Sequence, residues 1–135
     1  MPGRSVTRLD PNPGMLEVAR REAPDVTWIS GVAEGLPMPA GTFDRVLSQF
    51  ALMFFTDPAR ALSEMARVLR PEGRLCVATW AEAPSSPGYN ALIRLLSDVA
   101  RRAAAEALRR PFVIGTEEQL QDVGGGVFEH GLVRR

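Results

Sequence analysis

The chain has 135 residues, 45% hydrophobic and 24% charged, a composition that suits a globular domain able to bury a core. Sixteen basic and sixteen acidic residues cancel, so no net field draws it to nucleic acid or to an anionic membrane surface. Its single cysteine, Cys76, excludes an internal disulfide framework and suits a reducing cytoplasm; no apolar run approaches the ~20 residues that span a bilayer, and no secretory leader is recognisable.

Val6–Asp10 is short, β-branched and ends in an acid, which predicts a strand. Pro11–Gly14 breaks it, and Asn12 is placed to cap a following helix whose first turn tolerates Pro13, because the missing N–H has no partner there. That helix runs through Met15–Arg21 and stops near Pro24. Val26–Ile29 is a second strand, and Gly35–Gly41, with Pro37 and Pro39, can hold only a loop. Phe43–Ser48 predicts a third strand, largely buried, and Phe50–Phe55 a helical turn beyond it. Asp57 before Pro58 opens a helix in which Leu62, Met65, Ala66 and Leu69 fall on one face. Pro71-Glu72-Gly73 is expected to end that helix, and Arg74–Trp80 to form a fourth strand in which Cys76 is buried and inert.

Glu82–Pro87 is a turn-rich junction, followed by helical spacing at Leu92, Leu95, Leu96 and Val99 and an Ala-rich stretch to Arg110. From Gly124 the chain reads as a flexible glycine-rich tail that carries the only histidine, His130, without neighbours at metal-ligand spacing; no metal site is expected. The organisation read is a core over 1–82, a helical segment over 83–123 and the tail over 124–135.

Strands alternating with helices define an α/β class, with a parallel sheet covered on both faces. Ligands of such sheets bind beyond the carboxyl ends of the strands. Asp10 and Ser48-Gln49-Phe50 are the strand ends to weigh. A carboxylate presents two oxygens at the spacing of a ribose diol and binds it through charge-assisted hydrogen bonds. The plainer reading is that Asp10 opens the turn before Pro11. Met15 and Phe50 could be core residues, Ser48-Gln49 a bare strand terminus, and Asp44 a structural cap or ion-pair partner.

In sequence, Val6–Arg20 resembles the second-strand block of class I S-adenosylmethionine-dependent methyltransferases of the ubiquinone/menaquinone-biosynthesis type. The resemblance continues in register: Gly31–Met38 is similar to that family's adenine loop, Phe43–Ala51 to its fourth strand, and Arg67–Leu75 to its helix-turn-strand signature. It implies a Rossmann-like methyltransferase fold and S-adenosylmethionine as cofactor. It further implies that Asp10 holds the ribose, that Met15 lies against the adenine and that the Ala33 backbone N–H meets the adenine edge. Ser48 and Gln49 would sit near the methionine half, with Phe50 walling the pocket. No dedicated catalytic residue is expected, because positioning supplies most of the acceleration of methyl transfer to a small-molecule acceptor. The Arg67–Gly73 block is read as a turn and assigned no substrate chemistry.

Three departures qualify what the resemblance implies. The family has a first strand and a glycine-rich turn before the block ending at Asp10, whereas here Met1–Ser5 precede it. Val32 stands where the family usually has an acid facing the adenine amino group, and Arg8 where a small residue is common. The missing strand is central in the family's sheet. The strands ending at Asp10 and Ser48 must therefore pair directly or leave a gap, and exposed sheet edges would favour self-association. The alternative function is a non-catalytic remnant or interaction module. A nicotinamide-dependent oxidoreductase domain is disfavoured by the Leu36-Pro37 loop and the Arg67–Pro71 block. Pro87–Gly115 is similar to the helical insertion of one branch of the family, and the likeness fades after Val123.

Overall fold

β1 (Thr7–Asp10) and β2 (Thr27–Ser30) run parallel, with Thr7 opposite Thr27 and Asp10 opposite Ser30. Parallel neighbours need a crossover, which α1 (Pro13–Glu22) supplies. Asn12 starts the helix as expected: its side-chain oxygen accepts from Gly14 N at 2.9 Å and Met15 N at 3.3 Å. Arg20 and Arg21 in the last turn complement the helix dipole, and Leu16 is buried beneath the helix. Arg8 lies 5.5 Å from the Trp28 ring centroid, a cation–π contact across the strand pair. These features belong to a computed structural model of the chain, which describes residues 5–99 and 102–127.

The second unit is β3 (Phe43–Gln49), α2 (Pro58–Arg67) and β4 (Leu69–Ala78), again parallel, with Arg45 opposite Arg74 and Gln49 opposite Ala78. Asp57 caps α2 by accepting from Arg60 N at 3.0 Å. The helix ends at Arg67, earlier than its apolar spacing predicts, and Leu69 pairs with Phe43 as a strand residue instead. Pro71-Glu72-Gly73 therefore makes an irregularity inside β4, where the register shifts between Phe43 and Arg45. Glu72 takes φ 66° there. Arg70 Nη1 donates to Asp44 Oδ1 at 2.7 Å across the shift, the structural pairing foreseen for Asp44.

Val46, Leu75 and Val77 face a core of Ala33, Leu52, Ala61, Leu62, Met65 and Ile114. Each fully buried Leu, Ile or Met among them contributes about 1.5–3 kcal/mol. The alternate face corrects two expectations. Leu47 is 75% exposed and Cys76 opposite it is exposed too, so neither β3 nor Cys76 is buried as predicted. Side chains alternate along a strand, and among the described residues nothing covers that second face. The single sheet covered on both sides is likewise replaced by two two-stranded sheets, the gap arrangement of the two alternatives.

After β4, α3 (Pro87–Val99) and α4 (Arg102–Arg109) pack on each other. A further helix, α5 (Glu117–Gly124), lies almost wholly within the segment expected to be helical over 83–123, although the sequence analysis assigns no individual helix there; Leu120 and Val123 pack it against the core beside α2. Its signal was legible. Thr116 Oγ1 accepts from Gln119 N and Gln119 Oε1 accepts from Thr116 N, a capping box encoded by Thr-x-x-Gln. Gly124 thus closes a helix rather than opening a tail, and Gly125 stops it at φ 52°. Residues 128–135, including His130, lie outside the described residues.

Gly115 sets how closely this C-terminal segment docks: a Cβ there would sit 2.5 Å from Glu82 N and 2.7 Å from Glu82 Cα. Both are backbone atoms and cannot swing aside. Gly115→Ala should therefore cost about 1–3 kcal/mol, the range for forced overpacking. Urea unfolding reads this directly, and an unchanged midpoint would show that the segment is not docked as described.

Candidate cofactor site

The expected site residues all fall at strand ends or in the turns that follow them. Asp10 ends β1, half-buried; its Oδ1 accepts from Asn12 N at 2.7 Å. Asp10 thus does open the turn, yet among the described residues no hydrogen bond reaches Oδ2. One carboxylate oxygen shapes the chain and the other has no partner among the described residues. Met15 sits in the first turn of α1 and is 59% exposed, so it is not a core residue. Ala33 begins a 3₁₀ turn over Ala33–Gly35 and is buried in the core. Val32 precedes it and is exposed.

Ser48 and Gln49 occupy opposite faces of β3: Ser48 is 6% exposed, whereas Gln49 is exposed. A ligand lying on one face of the sheet meets one of them within the strand, not both. Ser48 Oγ is buried without a hydrogen-bond partner among the described residues, an arrangement that ordinarily costs about 1–3 kcal/mol. Phe50 follows in the left-handed region at φ 52°, a conformation uncommon for a bulky residue and concentrated at functional sites. Its ring stacks on Trp80 with centroids 4.6 Å apart and planes at 24°. Trp80, which the sequence reading left as a strand residue, lies just past the end of β4 and is 42% exposed. Phe50 also lines, with Leu52, Met53, Thr79, Pro111 and Ile114, a cavity of about 10 Å³.

The Ala33–Met38 loop is tied to α2 by charged side chains. Glu64 Oε2 accepts from Leu36 N at 2.9 Å, while Arg67 donates from Nη2 to Leu36 O and from Nη1 to Met38 O, both at 3.0 Å. Arg67 Nε and Nη2 each donate to Glu64 at 2.7 Å in a bidentate pair. Arg60 Nε donates to Glu34 O at 2.7 Å, and Glu34 Oε1 accepts from Thr56 N at 2.7 Å and Asp57 N at 3.3 Å. The Arg67 hydrogen bonds hold the Glu64 carboxyl down at about 2; desolvation opposes them, and the Leu36 N–H assists. Desolvation pushes Glu34 up, but its backbone hydrogen bonds outweigh it and leave that carboxyl below its ordinary value. Among the described residues no cluster of His, Cys, Asp and Glu is arranged to hold a metal, and no helix is long and apolar enough to cross a membrane.

Residues 1–77 match the family described as the methyltransferase domain. The chain is 36% identical over 107 residues to the demethylmenaquinone methyltransferase of Renibacterium salmoninarum, covering 76% of this chain and 45% of the relative. It is 39% identical over 92 residues to the ubiquinone/menaquinone biosynthesis C-methyltransferase UbiE of Hahella chejuensis, covering 64% and 36%. The chain thus spans less than half the length of these relatives. Among solved structures, an S-adenosylmethionine-dependent methyltransferase of Thermotoga maritima superposes with a TM-score of 0.68 at 25% identity, covering 90% of this chain and 53% of that one. The YcgJ protein of Bacillus subtilis shares the fold, with a TM-score of 0.56 at 21% identity, covering 95% and 69%.

The depressed Glu64 carboxyl makes a pH prediction. A carboxyl lowered by folding stabilises the native state above its ordinary value of 4.5, and that contribution is lost as pH falls towards 2. Wild type should be more stable than Glu64→Gln near neutrality, and the difference should shrink steadily between those limits. Thermal unfolding across that range checks it; a difference independent of pH would mean the ion pair does not form.

Proposed function

The chain belongs to the methyltransferase-domain family, as a class I S-adenosylmethionine-dependent methyltransferase of the UbiE type, and from that premise we propose that it serves methyl transfer to a small-molecule acceptor. The observation that carries the reading is Asp10, a strand-end carboxylate with one oxygen uncommitted. The buried, partnerless hydroxyl of Ser48 fits the same reading, because a polar ligand group would satisfy it.

When bound, S-adenosylmethionine supplies an electrophilic methyl on its sulfonium, open to in-line displacement by the acceptor. The residues of this chain bind and orient. Asp10 accepts from the ribose hydroxyls, Met15 offers a polarizable thioether to the adenine face, and the Ala33 N–H donates to the adenine edge. Ser48, with its partnerless hydroxyl at the end of β3, serves the methionine half, and Gln49 projects from the opposite face. Phe50 and Trp80 form an apolar aromatic wall, which suits a flat acceptor such as the quinone precursors for which the relatives are named. Orientation of this kind can supply several kcal/mol of rate acceleration without an acid–base dyad. A cytoplasmic setting, expected from the lone cysteine, belongs to the same reading.

A second reading, a non-catalytic member that keeps the fold's middle, is favoured by one observation. β1 and β2 share no sheet with β3 and β4, so the two halves of the site are not joined by strand pairing. Calorimetric titration with S-adenosylhomocysteine separates the readings. Micromolar binding that weakens by about 1.5–3 kcal/mol in Asp10→Ala, the range for a hydrogen bond to a charged group, supports the cofactor site. An Asp10→Ala affinity equal to wild type would place the ribose elsewhere, and no heat at millimolar ligand would leave the non-catalytic reading.

The open edges also bear on assembly. Each strand has one unpaired edge among the described residues, and Leu47 adds an exposed apolar side chain on β3. Edges of this kind recruit other chains, so the protein is expected to self-associate. Sedimentation velocity should show concentration-dependent species larger than a monomer; a monodisperse monomer at high concentration would contradict this.

A further inference from the structure

We propose that Glu64 and Arg67 are positioning residues for the cofactor's adenine, acting by locking the Ala33–Met38 loop in its binding shape. The inference rests on the S-adenosylmethionine reading above. Beyond its one 3₁₀ turn, in which Gly35 N donates to Val32 O, the loop has little with which to order itself: Gly35 brings no side chain, and Pro37 lacks the N–H that a strand or helix would use. Its backbone groups must find partners elsewhere, and the ion pair supplies them. At Leu36 a single bidentate pair takes both backbone groups, Glu64 accepting from the N–H and Arg67 donating to the carbonyl. Arg67 reaches on to the Met38 carbonyl, and Arg60 holds the loop's other end at Glu34 O. The two carriers sit on α2, whose Ala61, Leu62 and Met65 are buried in the core, so the loop is fixed to a helix anchored by its inner face.

The consequence for binding is a population effect. A loop with several conformations presents the Ala33 N–H correctly only part of the time, and apparent affinity falls by that fraction. The ion pair raises the fraction without touching the ligand. Arg67 opens a block whose turn residues otherwise explain it, and its side chain does a separate task from the backbone geometry of Pro71 and Gly73.

Titration with S-adenosylhomocysteine across a small variant series tests this. Arg67→Met and Glu64→Gln should each weaken binding about 10- to 100-fold, with Arg67→Lys intermediate because a lysine reaches one carbonyl and not two. The exchanged pair, Glu64→Arg with Arg67→Glu, keeps an ion pair but cannot donate to Leu36 O from position 67. It should recover melting temperature over the single variants yet stay weak in affinity, a separation that a purely stabilising role would not produce. Amide hydrogen exchange should quicken over residues 33–38 in every variant. Should Arg67→Met unfold the chain, Arg67→Lys and Glu64→Gln carry the comparison alone. If Asp10→Ala loses affinity while these variants bind like wild type, the positioning role is overturned and the cofactor reading stands. If wild type itself does not bind, the cofactor reading falls and this inference falls with it.

Discussion

Helix α2 is the part on which the remaining structure depends. Its inner face buries Ala61, Leu62 and Met65 against β3 and β4, and Ile114, Leu120 and Val123 complete the same core from the C-terminal segment. Its outer, charged face does something different: Arg60, Glu64 and Arg67 hold the chain that leaves β2. Since no backbone ladder joins the β1–β2 pair to the β3–β4 pair, these side-chain hydrogen bonds and the burial of Ala33 do what strand pairing does in an unbroken sheet. Charge-assisted bonds to backbone groups are among the stronger contacts a partly exposed site can offer, which is why an otherwise irregular loop can serve as a fixed element.

That arrangement divides the candidate site by rigidity. Ala33, Ser48 and Phe50 are mounted on one packed unit, whereas Asp10 and Met15 belong to the β1–α1–β2 unit, which buries Leu16 as its own small core. The unsatisfied Ser48 hydroxyl and the left-handed Phe50 mark the first unit as the place where the fold tolerates local cost. Asp10 instead serves its own turn with one oxygen while keeping the other.

Much of this was readable in the residues because it is local. Asn12-Pro13 and Asp57-Pro58 state their helix starts through capping chemistry and fixed proline φ, and both caps form as written. The α5 capping box at Thr116–Gln119 carries an equally local signal, set between Pro111, Gly115 and the glycines from Gly124. What was not legible depended on neighbours. Cys76 and Leu47 have the alternation of buried strand residues, but burial needs a covering element and not a pattern. Leu69 continues the helical spacing of Leu62 and Met65, yet pairing with Phe43 outweighs that periodicity. Trp80 and Phe50 come from different strands, and their stacking required the register of β3 against β4 to be known. The role of Arg67 was hidden for the same reason: its partners Leu36 and Met38 lie 31 and 29 residues away in sequence.

The central claim is that segments on two separate sheets form one cofactor site. Amide-resolved nuclear magnetic resonance during titration with S-adenosylhomocysteine tests it most directly. The account predicts that the amides of Asp10, Asn12, Val32–Glu34 and Ser48–Phe50 shift together along one saturation curve. Shifts confined to one sheet, or following different curves for the two, would contradict it.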